Sequence, residues 1–582
     1  MKLIKYIIAI IIIISIKSCA KVSTPMGGEK DEDPPLLTNM KPSNESINIK
    51  PSTIELEFNE YIKLDNANKQ IIVTPRINKD EMVATAIKNK VIIKLNQELE
   101  DSTTYVFNFQ KSIQDITEGN PAENLKLVFS TGNEIDSLKF SGRVSYIFPQ
   151  KDKFIKDVLI GLYEKNDTTD VLTAPPYYIA AADTAGRFEI TNIKAGQYRA
   201  YAWHDSNNTL KAEDKSEAYA FLGDTLNISD DINNVQFLLS KADLSDLKIN
   251  RASTTGENYD VVLSKNPVSI QVDHKDFGNE LFYRKNEKTL RFYHTSLRND
   301  SIQIALNLRD SVGFEVDTLI YLTFEESDRR KEALETTTNT GTNFLKQIQA
   351  EFNFNKPIKE IKYDSLFVKF DSASIIPIDP KWVYLPDSSL FTKIKIDIPI
   401  PDTISNSTFQ IYASDSTFFD IEDKFNEKKI EANYKKLNPE TLVTELLVTI
   451  DTDIKPLIVE LLDKSGKIYK TAYLTDTNIH SFRDLEPATY QLRIIVDQNN
   501  NKRWDPSNMK VNRQAEKVWY YTNPEDPKSY DIPLKAGWTN EITVVPRSIL
   551  PIIAEPTPTE IDIKTDEQIE SEISVEEEES SM

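Results

Sequence analysis

The chain has 582 residues, 91 acidic against 69 basic, for a formal charge of −22, and 39% of it is hydrophobic. A surface of that sign repels nucleic acid and anionic lipid, which excludes the electrostatic footprint of a nucleic-acid-binding protein. A single cysteine leaves no internal disulfide, so burial alone must hold each domain, and the length allows about four domains or more.

The N-terminus reads first. Lys2 and Lys5 form a short basic region, and Tyr6 to Ile16 is apolar except for Ser15. A basic segment, an apolar core and a small residue before a cleavage point make residues 1–18 a secretory signal peptide. The apolar run is well short of the ~20 residues that a spanning helix needs. Cys19 follows directly, and Ile16-Lys17-Ser18-Cys19 resembles a bacterial lipobox, with Lys17 departing from its usual small or apolar residue. The resemblance implies cleavage before Cys19 and acylation of that residue, which would hold the chain to a bilayer. Loss of Lys2, Lys5 and Lys17 with the signal takes the charge from −22 to −25. Ala20 and Lys21, rather than an aspartate, follow the cysteine, which points to the outer membrane and leaves the leaflet open. Residues 19–33 read as a lipidated flexible tether.

Strand signals dominate the rest. Ile54 to Phe58, Thr104 to Phe109 and Lys393 to Ile400 alternate apolar and polar residues with period two. Short runs of this kind separated by turn residues predict β-sandwiches. The best helical candidate is Ser327 to Leu334, followed by the Thr-, Asn- and Gly-containing stretch Thr336 to Thr342, so that 329–344 reads as a linker. Internal repetition divides the chain further. Phe58-Asn59-Glu60-Tyr61-Ile62 recurs as Phe354-Asn355-Lys356-Pro357-Ile358, and a fainter copy begins at Leu263-Ser264-Lys265-Asn266-Pro267-Val268. Downstream, Asp115-Ile116 corresponds to Asp420-Ile421. These copies predict three related sandwiches over 34–133, 244–328 and 345–440. A second repeat carries Tyr198 and Tyr490, each seven residues before an aspartate, Asp205 or Asp497, and predicts two further sandwiches over 134–243 and 441–548. The remainder, 549–582, is proline-flanked, dense in glutamate and free of aromatics. It cannot bury enough apolar surface to offset the entropy of ordering, so a disordered acidic tail is expected.

Cys19-Ala20, Pro25-Met26-Gly27-Gly28-Glu29-Lys30-Asp31, Pro34-Pro35 and Phe58 to Ile62 together resemble Bacteroidota lipoproteins with bacterial Ig-like domains. The first domain is similar to the Ig-like module of SbsA type. The segments around Tyr198 and Tyr490 are similar to CnaB-type or transthyretin-like modules, which carry a Gly-x-Tyr turn and strand. Gly196-Gln197-Tyr198 matches that signature, and Ala488 replaces the glycine in the other copy. The resemblance implies an all-β tandem array of structural or binding modules with no catalytic residues to carry over. Some modules of the second type hold an isopeptide bond between a lysine and an Asn or Asp beside an acid, and the sequence alone places no such triad.

Candidate chemistry is sparse. Asp497, Asn499, Asn501 and Asp505 alternate as oxygen donors around Arg503, a pattern suited to a hard cation such as calcium. An EF-hand-type loop would have glycine at its sixth position and glutamate at its twelfth, and Lys502 and Asn508 stand there instead. The expectation is weak calcium binding or an Asx-rich turn that satisfies its own backbone. Asp205, Asn207 and Thr209, with Glu213, Asp214 and Glu217, form a poorer copy. Trp504, Trp519, Tyr520, Tyr521 and Trp538 cluster in sequence and offer a ligand surface on which a sugar could stack, or else core packing. His204, His274, His294 and His480 are scattered, and no nucleophile elbow, phosphate loop or dinucleotide fingerprint occurs. The sequence therefore predicts a non-enzymatic, lipid-anchored cell-envelope protein with a structural or adhesive role. Its partners would be the membrane and an envelope protein or glycan. The alternative is a glycan- or peptidoglycan-binding protein that uses the C-terminal aromatics.

Overall fold

In Thr53–Phe58 the side chains of Ile54, Leu56 and Phe58 are buried while Thr53 and Glu55 are exposed. Successive side chains on a strand point to opposite faces, so such a segment must lay one face on a core and leave the other in water. Gln347–Phe354 and Lys393–Pro399 repeat the pattern. The computed structural model describes residues 31–546 apart from 151–153, 373, 388–389 and 528. Cys19, the signal peptide, residues 19–30 of the tether and the acidic tail lie outside the described residues.

The chain is nearly all β, a tandem array of Ig-like β-sandwiches. In the first sandwich an antiparallel sheet runs Leu37–Lys41, Thr53–Phe58, Lys90–Leu95, Met82–Ile87. It faces a second sheet of Ile72–Thr74, Thr104–Asn108 and Lys126–Ser130, with Ile54, Leu56, Ile93, Phe107 and Phe129 between them. The third sandwich sets Ile249–Thr255, Asn258–Leu263, Thr289–His294 and Leu281–Asn286 against Ser269–Asp273, Arg298–Arg309 and Glu315–Phe324. In the fourth, the sheet containing Gln347–Phe354 and Lys393–Pro399 faces the one containing Leu366–Lys369, Thr408–Ala413 and Ile430–Lys436.

The stretch read as a helix and linker belongs to this fourth sandwich. No helix forms over 327–334. Thr336–Thr338 pairs with Gln347–Phe354, and Asn343–Phe344 runs parallel to Ile430–Lys436. Leu334 and Phe344 are buried in the same core. A short Thr-rich segment has too few apolar residues for a helical face, but its β-branched side chains suit an edge strand that a ready-made sheet can capture.

The second and fifth sandwiches share another topology. In each, the first and last strands pair in parallel: Leu138–Tyr146 with Ile232–Lys241, and Glu445–Ile450 with Thr539–Val544. Each also pairs a central strand with the Tyr-bearing one, Val158–Glu164 with Gly196–His204 and Leu457–Asp463 with Thr489–Val496. The repeated tyrosine has a defined task. The hydroxyls of Tyr198 and Tyr490 donate to the carbonyls of Lys194 and Glu486, both at 2.8 Å, and pin the turn to the strand that follows it.

Period two fails in these central strands. Val158 to Tyr163 and Leu457 to Leu462 are buried without interruption. One face lies on the strand's own core and the other is covered by neighbouring sandwiches. Leu159, Tyr163, Trp203, Tyr219 and Phe221 of the second sandwich form a shared cluster with Ile72 of the first and with Leu244 and Val312, which adjoin and belong to the third. Met509 of the fifth packs on the same cluster. A further cluster joins Ile147 to Ile458, Ile495, Val518 and Tyr520. Phe282 and Tyr293 of the third sandwich meet Ile421 and Phe391 of the fourth. The chain thus closes on itself, with the fifth sandwich docked back on the second.

Candidate functional site

The closure is made where the cation pattern lies. At the end of Thr489–Val496, the buried Asp497 accepts the N–H of Asn501 at 2.9 Å and that of Lys502 at 2.8 Å. The Asn499 and Asn501 carbonyl oxygens accept backbone N–H groups of Asn501 and Arg503, while both amides donate to Asp505 at 2.6 and 2.8 Å. The Arg503 guanidinium lies 3.2 Å from the other Asp505 oxygen. The donor oxygens are therefore turned onto the loop's own backbone and amides, as in an Asx-rich turn. Among the described residues, no group of three or more His, Cys, Asp or Glu is arranged to hold a metal ion.

The second sandwich builds the same turn. Asp205 accepts the N–H groups of Thr209 and Leu210, both at 2.9 Å. A further acid completes each copy. Glu217 accepts from Ser206 N and Glu213 N, and Glu516 accepts from Gln498 N and Asp505 N, at corresponding places in the two turns. Glu516 has no signal in sequence, because it lies 19 residues from the first aspartate where Glu217 lies 12 away. Burial, and next the Asp505 and Asp497 carboxylates, push Glu516 up to about 7. Burial likewise raises Asp205 above the usual carboxylate range.

The extra residues between Asp505 and Glu516 are the docking element. Tyr219 of the second sandwich donates its hydroxyl to the Ser507 carbonyl at 2.8 Å in a buried contact. Arg513 donates to the Val312 carbonyl at 2.7 Å, and Lys510 to that of Leu244 at 2.8 Å. Asn512 and Gln514 reach the carbonyls of Gly223 and Phe221. Alongside, the Tyr520 hydroxyl donates to the Ile147 carbonyl at 2.8 Å.

This packing overturns the aromatic ligand surface. Trp519 and Tyr521 are buried in the fifth core, and Tyr520 is buried against the second sandwich. Trp504 is half-buried edge-on against Phe148, with ring centroids 4.8 Å apart, and donates its indole N–H to the Glu516 carbonyl. Of the five aromatics only Trp538 is widely exposed, at 50%, with Lys535 Nζ 4.7 Å above its ring. The reason is geometric: Val518–Tyr520 borders a sheet with cover on both faces, so alternation gives it no free side.

A separate cleft of about 760 Å³ opens between the first and second sandwiches, lined in part by Arg76, Lys79, Gln97, Pro175 and Leu210. Burial pushes the Lys79 ammonium down to about 8, and its protons are given to the Asn68 and Ile71 carbonyls.

Two family models match parts of the chain. The family model of a bacterial Ig-like domain matches residues 31–131, and that of domain II of polysaccharide lyase family 4 matches residues 157–212. No curated protein matches the chain. Among solved structures, dimeric latent PorU from Porphyromonas gingivalis is 10% identical, over 46% of this chain and 34% of PorU, with a TM-score of 0.22. A mixed-linkage glucan utilization protein, SGBP-B of Bacteroides ovatus in complex with a heptasaccharide, is 9% identical over 60% of this chain and 86% of its own, with a TM-score of 0.17. The S-layer protein rSbsC is 12% identical over 83% and 67%, with a TM-score of 0.15. Superpositions this loose carry no functional argument.

Proposed function

We propose that this chain is a non-catalytic cell-envelope protein, held to the outer membrane through an acylated Cys19, whose interlocked sandwiches act as a rigid spacer that presents a binding surface. One observation carries the reading. The segment between Asp505 and Glu516 is given over to joining the fifth sandwich to the second and third, through Tyr219, Val312 and Leu244. A linear string of domains would flex at every linker, whereas buried contacts across non-adjacent units suppress that motion. The bacterial Ig-like domain that begins at residue 31, twelve residues beyond Cys19, supports a position close to the membrane.

The test is cell fractionation of Cys19→Ser beside the unaltered chain, with labelled palmitate and protease applied to intact cells. The variant is expected to lose the label and leave the membrane fraction. A variant that still incorporates palmitate and sediments with membranes overturns the anchor. Protease sensitivity of intact cells then decides which leaflet carries the protein.

A further inference from the structure

The fourth sandwich holds a buried reactive pair that the scaffold reading does not use. Lys356 follows Gln347–Phe354, and Asp420 ends Phe418–Asp420. Their side chains are 1% and 0% exposed, and Lys356 Nζ is in contact with Asp420 Oδ2. Glu422 Oε2 lies 3.0 Å from the same nitrogen. The other Glu422 oxygen accepts from Asn258 Nδ2 of the third sandwich at 2.9 Å, which fixes the carboxylate in place. The two oxygens of Asp420 are treated differently. Oδ1 accepts the backbone N–H groups of Glu422 and Lys424 at 2.9 and 2.8 Å. Oδ2, equally buried, accepts no hydrogen bond and meets only the ammonium. Phe354 and Phe418, 4.9 Å apart, lie in the core at the ends of the strands that carry the pair.

These are the parts of an acyl-transfer site: an amine held against a carboxyl carbon, two N–H donors on the oxygen that will carry charge, and an acid beside both. We propose that Lys356 and Asp420 are joined by an intramolecular isopeptide bond, with Glu422 as the proton relay. Glu422 takes one proton from the ammonium, and the freed amine attacks Asp420 Cγ. Negative charge gathers on Oδ1, where the Glu422 and Lys424 N–H groups hold it. Glu422 returns its proton to Oδ2, a second proton from nitrogen follows, and Oδ2 leaves as water. One C–N bond forms and one C–O bond breaks. Of the three ammonium protons, two depart in the water and one stays on the amide. Glu422 begins and ends as a carboxylate, and no oxidant, metal or cofactor takes part.

The related sandwiches show what the arrangement requires. In the third, Lys265 contacts Asp310 Oδ2, and Oδ1 accepts N–H groups from Val312, Gly313 and Phe314. The second carboxylate there, on Asp243, is 3.9 Å from the ammonium and 40% exposed, so the buried relay is missing. In the first, Glu60 takes the lysine position near Asp115, so an acid stands where the fourth sandwich has its amine. Of the three, the fourth sandwich alone has nucleophile, electrophile, oxyanion donors and relay together.

Peptide mapping of the purified full chain tests this. Trypsin should yield residues 347–359 and 396–424 as one branched species, lighter by one water than the sum of the two peptides. Lys356→Arg should release them separately, and so should Glu422→Gln, while Lys265→Arg should leave the branched species intact. Recovery of the two peptides separately, at full mass, from the unaltered chain overturns the bond. Undiminished linkage in Glu422→Gln overturns the relay. Because the unaltered chain is itself the principal sample, a variant that misfolds does not blunt the test.

Discussion

Replacing Glu516 with glutamine should change how tightly the docking segment is held, and by an amount that depends on pH. Glu516 is 4% exposed and receives the N–H groups of Gln498 and Asp505. Burial and the neighbouring Asp505 and Asp497 carboxylates lift it from 4.5 to about 7. A folded state that keeps a proton the unfolded chain has released is favoured in acid. The Glu516 contribution is therefore fully present below about 4.5 and is lost as pH rises through about 7. At about 1.4 kcal/mol per unit the swing is about 3 kcal/mol at most, and less where water reaches the exposed Asn499 and Asn501. Glutamine does not titrate and offers one acceptor where the carboxylate offers two, at a loss of about 1 kcal/mol for the missing hydrogen bond. Glu516→Gln should thus be the less protected protein near pH 4, where almost none of the Glu516 contribution has been lost, and the better protected one near pH 8, with the crossing set by linkage, not by chemistry elsewhere. Hydrogen exchange over 497–518, corrected for intrinsic rates, measures this directly. A difference between the two proteins that stays constant from about pH 4 to 8 would refute the assignment of the titration to Glu516.

Other expectations follow from the same contacts. Tyr520→Phe removes the hydroxyl donated to the Ile147 carbonyl and should weaken the junction of the second and fifth sandwiches by about 1–3 kcal/mol, read as faster proteolysis at that junction. Gly142→Ala would set a Cβ 2.0 Å from the Val235 carbonyl oxygen, so the paired strands must separate; the second sandwich should lose about 3 kcal/mol or more, seen as a lowered melting transition. Calcium titrated into the full chain should bind no tighter than about 10⁻⁴–10⁻³ M, because the turn lacks a bidentate glutamate at its twelfth position and its oxygens already accept hydrogen bonds. Micromolar affinity abolished by Asp497→Ala would show the turn to be a true cation site.

What the sequence determined by itself is local. Alternation in Thr53–Phe58 and Gln347–Phe354 reports that one face is buried, because side-chain direction on a strand depends only on the strand. The Tyr198 and Tyr490 repeats were legible for the same reason, since each tyrosine ties down a carbonyl four residues upstream. The Asp497 turn was legible as a turn, because its partners lie within five residues. What lay further apart was decided only by the tertiary structure. Trp519 and Tyr520 read in sequence as a ligand surface, whereas the second sandwich covers the far face of their strand, and no pattern within 518–520 carries that information. Thr336–Thr338 has β-branched side chains but is too short and too poor in apolar residues to show an alternating pattern, and becomes a strand because Gln347–Phe354 offers it an open edge. Lys356 and Asp420 stand 64 residues apart, and in sequence each is only a member of a repeat, with nothing to pair one with the other. Only the closing of the fourth sandwich brings them together out of water, where proximity and exclusion of solvent turn two common side chains into a reactive pair.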